Sequence, residues 1–271
     1  MDCLIKRDDV EKAIELENGF YVARYGGFYF ESVFQPLMST SGDCLGFEAL
    51  VRIKNLTTGK SVNPYFFFQS MNSDIETTNF GTVCYGIHVR NFAQSLYREL
   101  KLFINISPIM FSTTHNDFVS ICHALSRIDK EGLSYENIIF EVTEFEDKHV
   151  LGLISGIEKF RAYGIRIAID DFGVGFSNEE RVHLLKPDFI KFDKSLLDNY
   201  ISNGDVELID GISLSKNEDA TVIVEGVETR EQLDVLKVLN VDYVQGFYFG
   251  RPSALTHFET ESFYDEFRPS E

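Results

Sequence analysis

The chain has 271 residues, of which 44% are hydrophobic and 25% are charged, a composition typical of a globular protein rather than a disordered one. Acidic residues outnumber basic residues by 43 to 25, and the resulting net charge of −18 repels nucleic-acid polymers and anionic membrane surfaces. Because the sequence also lacks a signal-peptide-like start, a long apolar run and a zinc-binding cysteine pattern, we expect a cytoplasmic protein without a membrane segment or a nucleic-acid polymer as partner.

The predicted elements alternate between strands and helices along the chain. Residues 1–24 form a short helical extension with one helix candidate at residues 8–17. Apolar runs rich in β-branched and aromatic residues then predict eight strands, at residues 30–37, 44–53, 102–106, 138–142, 166–170, 189–192, 221–225 and 243–245. Eight strands separated by helical segments are typical of a closed α/β barrel.

The connection between the first two strands departs from this pattern. Residues 39–43 are too few for a crossover helix, so these strands should form an antiparallel hairpin. The predicted fold over residues 25–271 is therefore an α/β fold, a modified TIM (β/α)8 barrel with an antiparallel first strand.

Two helix starts carry a capping-box pattern, in which a hydroxyl caps the helix and a later side chain reaches back. The pairs are Ser177 with Glu180 and Thr229 with Gln232. They predict helix boundaries rather than chemistry.

Polar residues stand where the predicted strands end, the position of reactive groups in barrels of parallel strands. They are Glu48, Asn105, Glu141, Asp170, Asp171, Lys191, Glu225 and Gln245. One such carboxylate alone is usually a helix cap or a surface charge, but that explanation does not fit a set on successive strands. Their oxygen atoms are ligands that favour Mg²⁺ or Mn²⁺. The adjacent Asp170 and Asp171 suit a pair of metal ions that activates water for phosphodiester cleavage.

Lys191 is the one cation in this set. Period-two alternation places Lys191 and Asp193 on the same face of their strand. Since a lysine that faces a barrel interior is costly unless it is paired, we expect it to contact carboxylates or phosphate.

Taken in order, these segments resemble the EAL-domain phosphodiesterases. The resemblance covers roughly residues 28–255, with the motifs in the family's order. The motifs are FEALVR at residues 47–52, INISP at 104–108, EVTE at 141–144, DDFG at 170–173, IKFD at 190–193, EGVET at 225–229 and QGF at 245–247.

The resemblance implies hydrolysis of one phosphodiester bond of the bacterial messenger cyclic di-GMP to linear pGpG, and assembly as a homodimer. It implies a catalytic role for Lys191, Glu225 and Gln245, with Lys191 orienting or deprotonating the attacking water. It further implies two Mg²⁺ or Mn²⁺ ions held by Glu48, Asn105, Glu141, Asp170, Asp171 and Glu225. Substrate contacts are implied for Gln35, Leu50, Arg52 and Asp188, and anchoring of the loop after Asp171 is implied for Glu144 and Glu228.

That loop departs from the family pattern at Val174 and Phe176, where Thr and Tyr are more frequent. Two alternatives stay open, the first of them because of this loop. One is a catalytically weak EAL domain that acts as a cyclic di-GMP receptor or a protein-binding module, and the other is a Mg²⁺ barrel that acts on another acid or phosphate, such as an enolisation enzyme. The complete set of ligand positions favours an active phosphodiesterase over the first, and the pair Asp170 and Asp171 favours phosphodiester cleavage over the second.

Overall fold

A closed barrel of eight strands forms the centre of the structure, a computed structural model that describes residues 7–116, 118–143, 150–173 and 179–259. The strands are β1 (Ile14–Glu17), β2 (Phe20–Tyr25), β3 (Phe28–Ser39), β4 (Cys44–Asn55), β5 (Ser61–Val62), β6 (Lys101–Ile106), β7 (Ile138–Val142), β8 (Arg166–Phe172), β9 (Phe189–Phe192), β10 (Thr221–Val224) and β11 (Tyr243–Gln245). The helices are α1 (Arg7–Ala13), α2 (Pro64–Gln69), α3 (Asp74–Ala93), α4 (Pro108–Asn116), α5 (Phe118–Glu131), α6 (Val150–Arg161), α7 (Glu179–Leu185), α8 (Lys194–Asn203), α9 (Glu207–Asn217) and α10 (Arg230–Val238).

The barrel order confirms the predicted fold. Its strands run in the order β3, β11, β10, β9, β8, β7, β6 and β4, and the pairing of β3 with β4 closes the ring. β3 is antiparallel to both of its neighbours, whereas the other barrel strands are parallel to one another. The short turn between β3 and β4 reverses the chain, as the length of residues 39–43 predicts.

Alternating residues of each barrel strand face the lumen. In the middle of the barrel these positions are apolar and form a cluster of Leu37, Phe103, Ile139, Ala168, Phe189 and Ile223. The residues between them face outward and join the main core with the surrounding helices, as Phe140 and Phe160 do at a ring separation of 5.1 Å. The apolar layer closes the lumen, so the two ends of the barrel are separate surfaces.

The amino-terminal segment differs from the predicted helical extension. The helix ends at Ala13, and residues 14–25 form the strands β1 and β2, so the prediction of a helical extension over residues 1–24 is wrong for residues 14–24. Asn18 and Gly19 both have positive φ, at 52° and 86°, which is the backbone of a two-residue hairpin turn. A second pair, Gly26 and Gly27, with φ of 57° and 83°, turns the chain into β3. The division of the chain at residues 24 and 25 stays a prediction.

This amino-terminal hairpin packs against α3. The buried side chain of Asn91 accepts from the backbone N–H of Tyr21 and donates to its carbonyl, both at 2.7 Å, and Arg90 pairs with Glu11 at 2.6 Å. Beneath these contacts lies a second apolar cluster that contains Phe30 of β3 and Ile53 of β4. The cluster supports the part of β3 and β4 that extends past the barrel.

The capping box of Thr229 and Gln232 is confirmed at the start of α10, where both of its hydrogen bonds form. Ser177, of the other predicted box, lies outside the described residues. In the described part of the chain, none of the helices combines the length and apolar character needed to cross a membrane.

Candidate active site

The carboxyl ends of the barrel strands bring the predicted polar residues to one opening of the lumen. Those on the parallel strands β6 to β11 lie at or next to a strand end, because the lumen-facing alternation that buries Phe103 and Ile139 also points the residues two positions later into the barrel, whereas Gln35 and Glu48 lie within the long strands β3 and β4. The set consists of Gln35, Glu48, Asn105, Glu141, Asp170, Lys191, Glu225 and Gln245. We call this set the mouth cluster.

Lys191 occupies the centre of the mouth cluster and is 1% exposed. Its Nζ atom lies 2.7 Å from a carboxylate oxygen of Glu225, 3.0 Å from Glu141, 3.0 Å from Asp170 and 3.3 Å from Glu48. Burial by itself lowers the pKa of Lys191, but these four carboxylates outweigh burial and hold the pKa well above its ordinary value. The side chain is therefore an ammonium ion surrounded by anions.

One ammonium ion does not balance the negative charge around it. Burial, together with the charge of Glu48, raises the pKa of Glu141 well above its ordinary value, and burial raises the pKa of Glu225 to about 8. The Oε2 atom of Glu141 is buried and has no hydrogen-bond partner among the described residues. The mouth cluster thus has more buried carboxylate oxygen than the protein's own cations and donors satisfy.

Asp170 and Asp171 reach the same site because the strand is irregular at this point. The pairing of β8 with β9 shifts register between Ile169 and Phe172, and Asp171 has a φ of 55°. In a regular strand two successive side chains point to opposite faces, whereas an irregularity of this kind can turn both towards one side. One carboxylate oxygen from each of Asp170, Asp171 and Glu225 lies within 4.8 Å of the others.

Glu48 is held by a network of side-chain amides. Asn105 donates to its Oε1 atom at 2.9 Å, and Gln245 donates to its Oε2 atom at 2.8 Å. Gln245 also donates to Gln35 at 3.3 Å, and Gln35 in turn donates to the carbonyl of Gly250 at 3.1 Å. Burial raises the pKa of Glu48, but Lys191 and the two amide donors outweigh it, so the pKa lies below its ordinary value and Glu48 stays a carboxylate.

These observations fit a hard divalent cation. The mouth cluster supplies oxygen donors almost exclusively, and oxygen donors bind Mg²⁺, Mn²⁺ and similar ions in proteins. Two features of the site would be stabilised by a bound cation. They are the unsatisfied oxygen of Glu141 and the close group of carboxylates from Asp170, Asp171 and Glu225.

Two glycines next to the mouth cluster were given no role by the sequence patterns. A Cβ atom on Gly246 would lie 2.0 Å from the carbonyl oxygen of Val227, and one on Gly226 would lie 2.4 Å from the Cβ atom of Lys194. Gly226 also has a φ of 70°. The turns after Glu225 and Gln245 therefore require glycine, and the available signal was its position directly after each strand-end polar residue.

The three residues predicted to contact substrate on β3 and β4 lie at the same opening. Gln35 pairs with Glu48 across the hairpin, and Leu50 and Arg52 follow Glu48 at two-residue intervals on the same strand face. Leu50 and Arg52 are both partly exposed beyond the mouth cluster. Their contact with substrate stays a prediction.

Asp188 does not join this group, and the prediction that it contacts substrate is wrong. It precedes β9, at the amino end of the strand, and its carboxylate accepts a hydrogen bond from the backbone N–H of Ile167 at 2.9 Å. Its carbonyl accepts from the N–H of Thr221 at 2.9 Å. Asp188 therefore fastens β8, β9 and β10 together at the opposite end of the barrel.

The loop after Asp171 is only partly described. Glu144, Val174 and Phe176 all lie outside the described residues. Glu228 forms an ion pair with Lys194 at 2.8 Å on the surface. The roles of Glu144 and Glu228 in anchoring this loop stay predictions.

Comparison with known proteins places the same segments in one family. The sequence model of the EAL domain matches residues 28–252. A curated relative, the probable cyclic di-GMP phosphodiesterase PdeA of Escherichia coli (strain K12), is 36% identical over 126 residues, which cover 45% of this chain and 17% of PdeA. The chain spans 17% of the length of PdeA and 32% of the length of a second relative, the probable cyclic di-GMP phosphodiesterase PdeI of Escherichia coli (strain K12).

Solved structures share the fold at moderate identity. A standalone EAL protein from Vibrio cholerae O395 in a c-di-GMP-bound form is 27% identical, with a TM-score of 0.71 and coverage of 83% of this chain and 93% of that chain. BlrP1 from Klebsiella pneumoniae, in a complex with manganese and cy-diGMP, is 25% identical, with a TM-score of 0.68 and coverage of 83% and 56%.

Proposed function

Because the chain belongs to the EAL domain family, we propose that it is a metal-dependent phosphodiesterase that hydrolyses one phosphodiester bond of cyclic di-GMP to give linear pGpG. The observation that carries the proposal is the mouth cluster, in which Lys191 lies within 3.3 Å of four carboxylates. A catalytically weak member would more readily have lost one of these side chains. The solved c-di-GMP complex of the similar Vibrio cholerae protein supports the choice of substrate.

We propose that the mouth cluster and the neighbouring Asp171 hold two Mg²⁺ or Mn²⁺ ions. Their ligands are Glu48, Asn105, Glu141, Asp170, Asp171 and Glu225, and the manganese complex of the similar Klebsiella pneumoniae protein supports a divalent metal. When bound, the ions lower the pKa of a water molecule and stabilise the leaving oxygen of the phosphodiester. The bulge that carries Asp170 and Asp171 lets two neighbouring residues serve a pair of ions.

We propose that Lys191, Glu225 and Gln245 act on the attacking water and its surroundings. The carboxylates hold Lys191 in its charged form, so it is suited to orient the water and to stabilise developing negative charge rather than to accept a proton. Glu225, 2.7 Å from Lys191, offers an oxygen that can take up the proton. Gln245 keeps Glu48 in place through its hydrogen bond of 2.8 Å.

The substrate brings two negative phosphates to a protein with a net charge of −18, so binding depends on local positive charge. Besides the ions and Lys191, the proposal uses Arg52, which lies on the face of β4 that continues from Glu48. Gln35 and Leu50 complete the proposed contacts. Protein without metal should bind the substrate poorly.

The proposal further includes a homodimer, formed through helices near the loop after Asp171, as the family resemblance implies. In this proposal residues 25–271 form the phosphodiesterase domain, and residues 1–24 are an extension that precedes it. Analytical ultracentrifugation with and without cyclic di-GMP tests the dimer.

The proposed function is tested by incubating the purified chain with cyclic di-GMP and Mn²⁺ or Mg²⁺ and separating the products by chromatography. We expect linear pGpG to form, EDTA to stop its formation, and Glu48→Gln to lower turnover at least 100-fold because it removes a charged metal ligand. Glu158→Gln is the matched control, since Glu158 lies on α6, away from the barrel strands, and pairs at the surface with Arg161 at 2.9 Å. Saturable binding of cyclic di-GMP with no pGpG at high protein concentration would refute the hydrolase and favour a receptor.

A further inference from the structure

The opposite end of the barrel carries a polar layer of its own. The lumen-facing alternation that places Phe103 and Ala168 in the apolar layer puts Lys101 and Arg166, two positions earlier, at the amino ends of β6 and β8. The pairing of both strands with β7 places these two cations on either side of its first residues. Sequence reasoning gave neither of them a role.

A cavity of about 320 Å³ opens at this end. Its walls are part apolar and part polar, and its volume falls in the range of small-molecule sites. The lining residues that matter here are Leu45, Leu100, Lys101, Asn137 and Tyr243. We call this cavity the lower cup.

Lys101 lines the lower cup, and Arg166, which is not one of its lining residues, is near enough for its charge to act on Lys101. Across the described ranges, neither Lys101 nor Arg166 lies within ion-pair distance of a carboxylate. Burial lowers the pKa of Lys101, the charge of Arg166 lowers it further, and only the exposed Glu136 opposes them. In a protein with 18 more negative than positive charges, these two neighbouring cations form no close ion pair within the described residues.

The two carboxylates that line the lower cup are bound to other groups. Glu99 pairs with Arg98 at 3.4 Å, and Asp43 accepts hydrogen bonds from Ser41 at 3.1 Å and Ser39 at 3.4 Å. Neither is among the charges that act on Lys101. Of the acidic residues near the lower cup, Glu136 acts on the ammonium ion of Lys101, whereas Glu99 and Asp43 do not.

We propose that the lower cup binds a small phosphomonoester with an apolar or aromatic body, at a site separate from the mouth cluster. A phosphomonoester is a dianion near neutral pH; Lys101 offers it an ammonium group inside the lower cup, and the neighbouring Arg166 adds a second positive charge beside it. Leu45 and Leu100 form apolar walls for its body. The hydroxyl of Tyr243, which has no hydrogen bond to any described residue, is a further donor.

The apolar layer keeps the two sites apart. Leu37, Phe103, Ile139 and Phe189 are each no more than 3% exposed and close the lumen between the lower cup and the mouth cluster. A molecule in the lower cup therefore cannot reach Lys191 or Glu225. The inference does not depend on the proposed hydrolysis of cyclic di-GMP.

The test is a titration of the whole ¹⁵N-labelled chain with phenyl phosphate, followed by NMR. We expect saturable shifts of backbone amides at residues 45, 101, 137 and 243, weaker shifts with inorganic phosphate, and none with the uncharged benzyl alcohol. Lys101→Met retains the aliphatic stem and should lower the affinity at least ten-fold, and Arg166→Gln should lower it as well. Lys60→Met is the matched control, because Lys60 is exposed in a surface turn far along the chain from the lower cup.

Three results would each overturn the proposal. The first is the absence of saturable shifts up to about 10 mM phenyl phosphate. The second is shifts confined to residues of the mouth cluster, such as Glu225. The third is unchanged affinity in a Lys101→Met variant whose amide spectrum remains that of the folded wild type.

Discussion

Replacing Lys191 with methionine is expected to destabilise the fold strongly when no metal is bound. Lys191 is 1% exposed and is the common ion-pair partner of Glu48, Glu141, Asp170 and Glu225. Methionine fills a similar volume, so the change removes the charge with little change in packing. The loss of stability therefore measures the unbalanced carboxylates and not a cavity.

The size of the effect follows from the burial of these groups. Removing one partner of a buried ion pair costs about 3–5 kcal/mol because the other charge is left uncompensated. For a protein of this size, that cost corresponds to a fall in Tm of roughly 6–20 °C, at about 2–4 °C per kcal/mol. Protonation of Glu141, whose pKa burial already raises, limits the loss.

Thermal unfolding in EDTA, followed by circular dichroism, measures the change. Lys194→Met is the matched control, because Lys194 also pairs with a glutamate, Glu228 at 2.8 Å, but its side chain is 39% exposed. We expect the control to cost at most about 1 kcal/mol, as solvent-screened pairs do. A Lys191→Met variant that unfolds within about 1 kcal/mol of the wild type would show that the four contacts are not the buried ion pairs described above.

Two further predictions concern metal and pH. Mn²⁺ should raise the Tm of the wild type, and Asp171→Asn should abolish most of this rise because it removes a charged oxygen from the group with Asp170 and Glu225. Asparagine tolerates the φ of 55° at this position, so the backbone should not change, and an unchanged rise in Tm would exclude Asp171 as a ligand. Burial lowers the pKa of His88 to about 3, below its unfolded value of 6.5, so the unfolded chain takes up the proton first as pH falls. Between pH 7.5 and 5.5, urea unfolding in EDTA should therefore show a loss of stability about 1.4 kcal/mol larger in the wild type than in His88→Gln, and equal losses would contradict the buried neutral imidazole.

Local patterns were sufficient to predict the barrel strands. Apolar runs such as residues 138–142 and 189–192 coincide with β7 and β9, because a strand buried on both faces must be apolar along most of its length. The antiparallel start of the barrel followed from the short connection between β3 and β4. Local patterns placed β1 inside a helix candidate at residues 8–17 and did not identify β2, although the Asn18–Gly19 turn was a signal for a hairpin.

Asp188 illustrates the limit of motif position. It stands three residues before Lys191 in the sequence, yet its carboxylate lies at the amino end of β9 and binds the backbone of Ile167. A residue that precedes a barrel strand faces the end opposite to a residue that follows it. The sequence motif contains both Asp188 and Lys191, but the direction of β9 places their side chains at opposite ends of the barrel.

The sequence by itself determined the barrel, the family and the residues that gather at the mouth cluster, since strand periodicity and strand-end position are local properties. Tertiary structure decided which of their atoms meet. Three features depend on register between strands: the contacts of Lys191 with four carboxylates, the irregularity that brings Asp170 and Asp171 together, and the nearness of Arg166 to Lys101 at the lower cup. Register is set by pairing between segments distant in the chain, so no local pattern contains it.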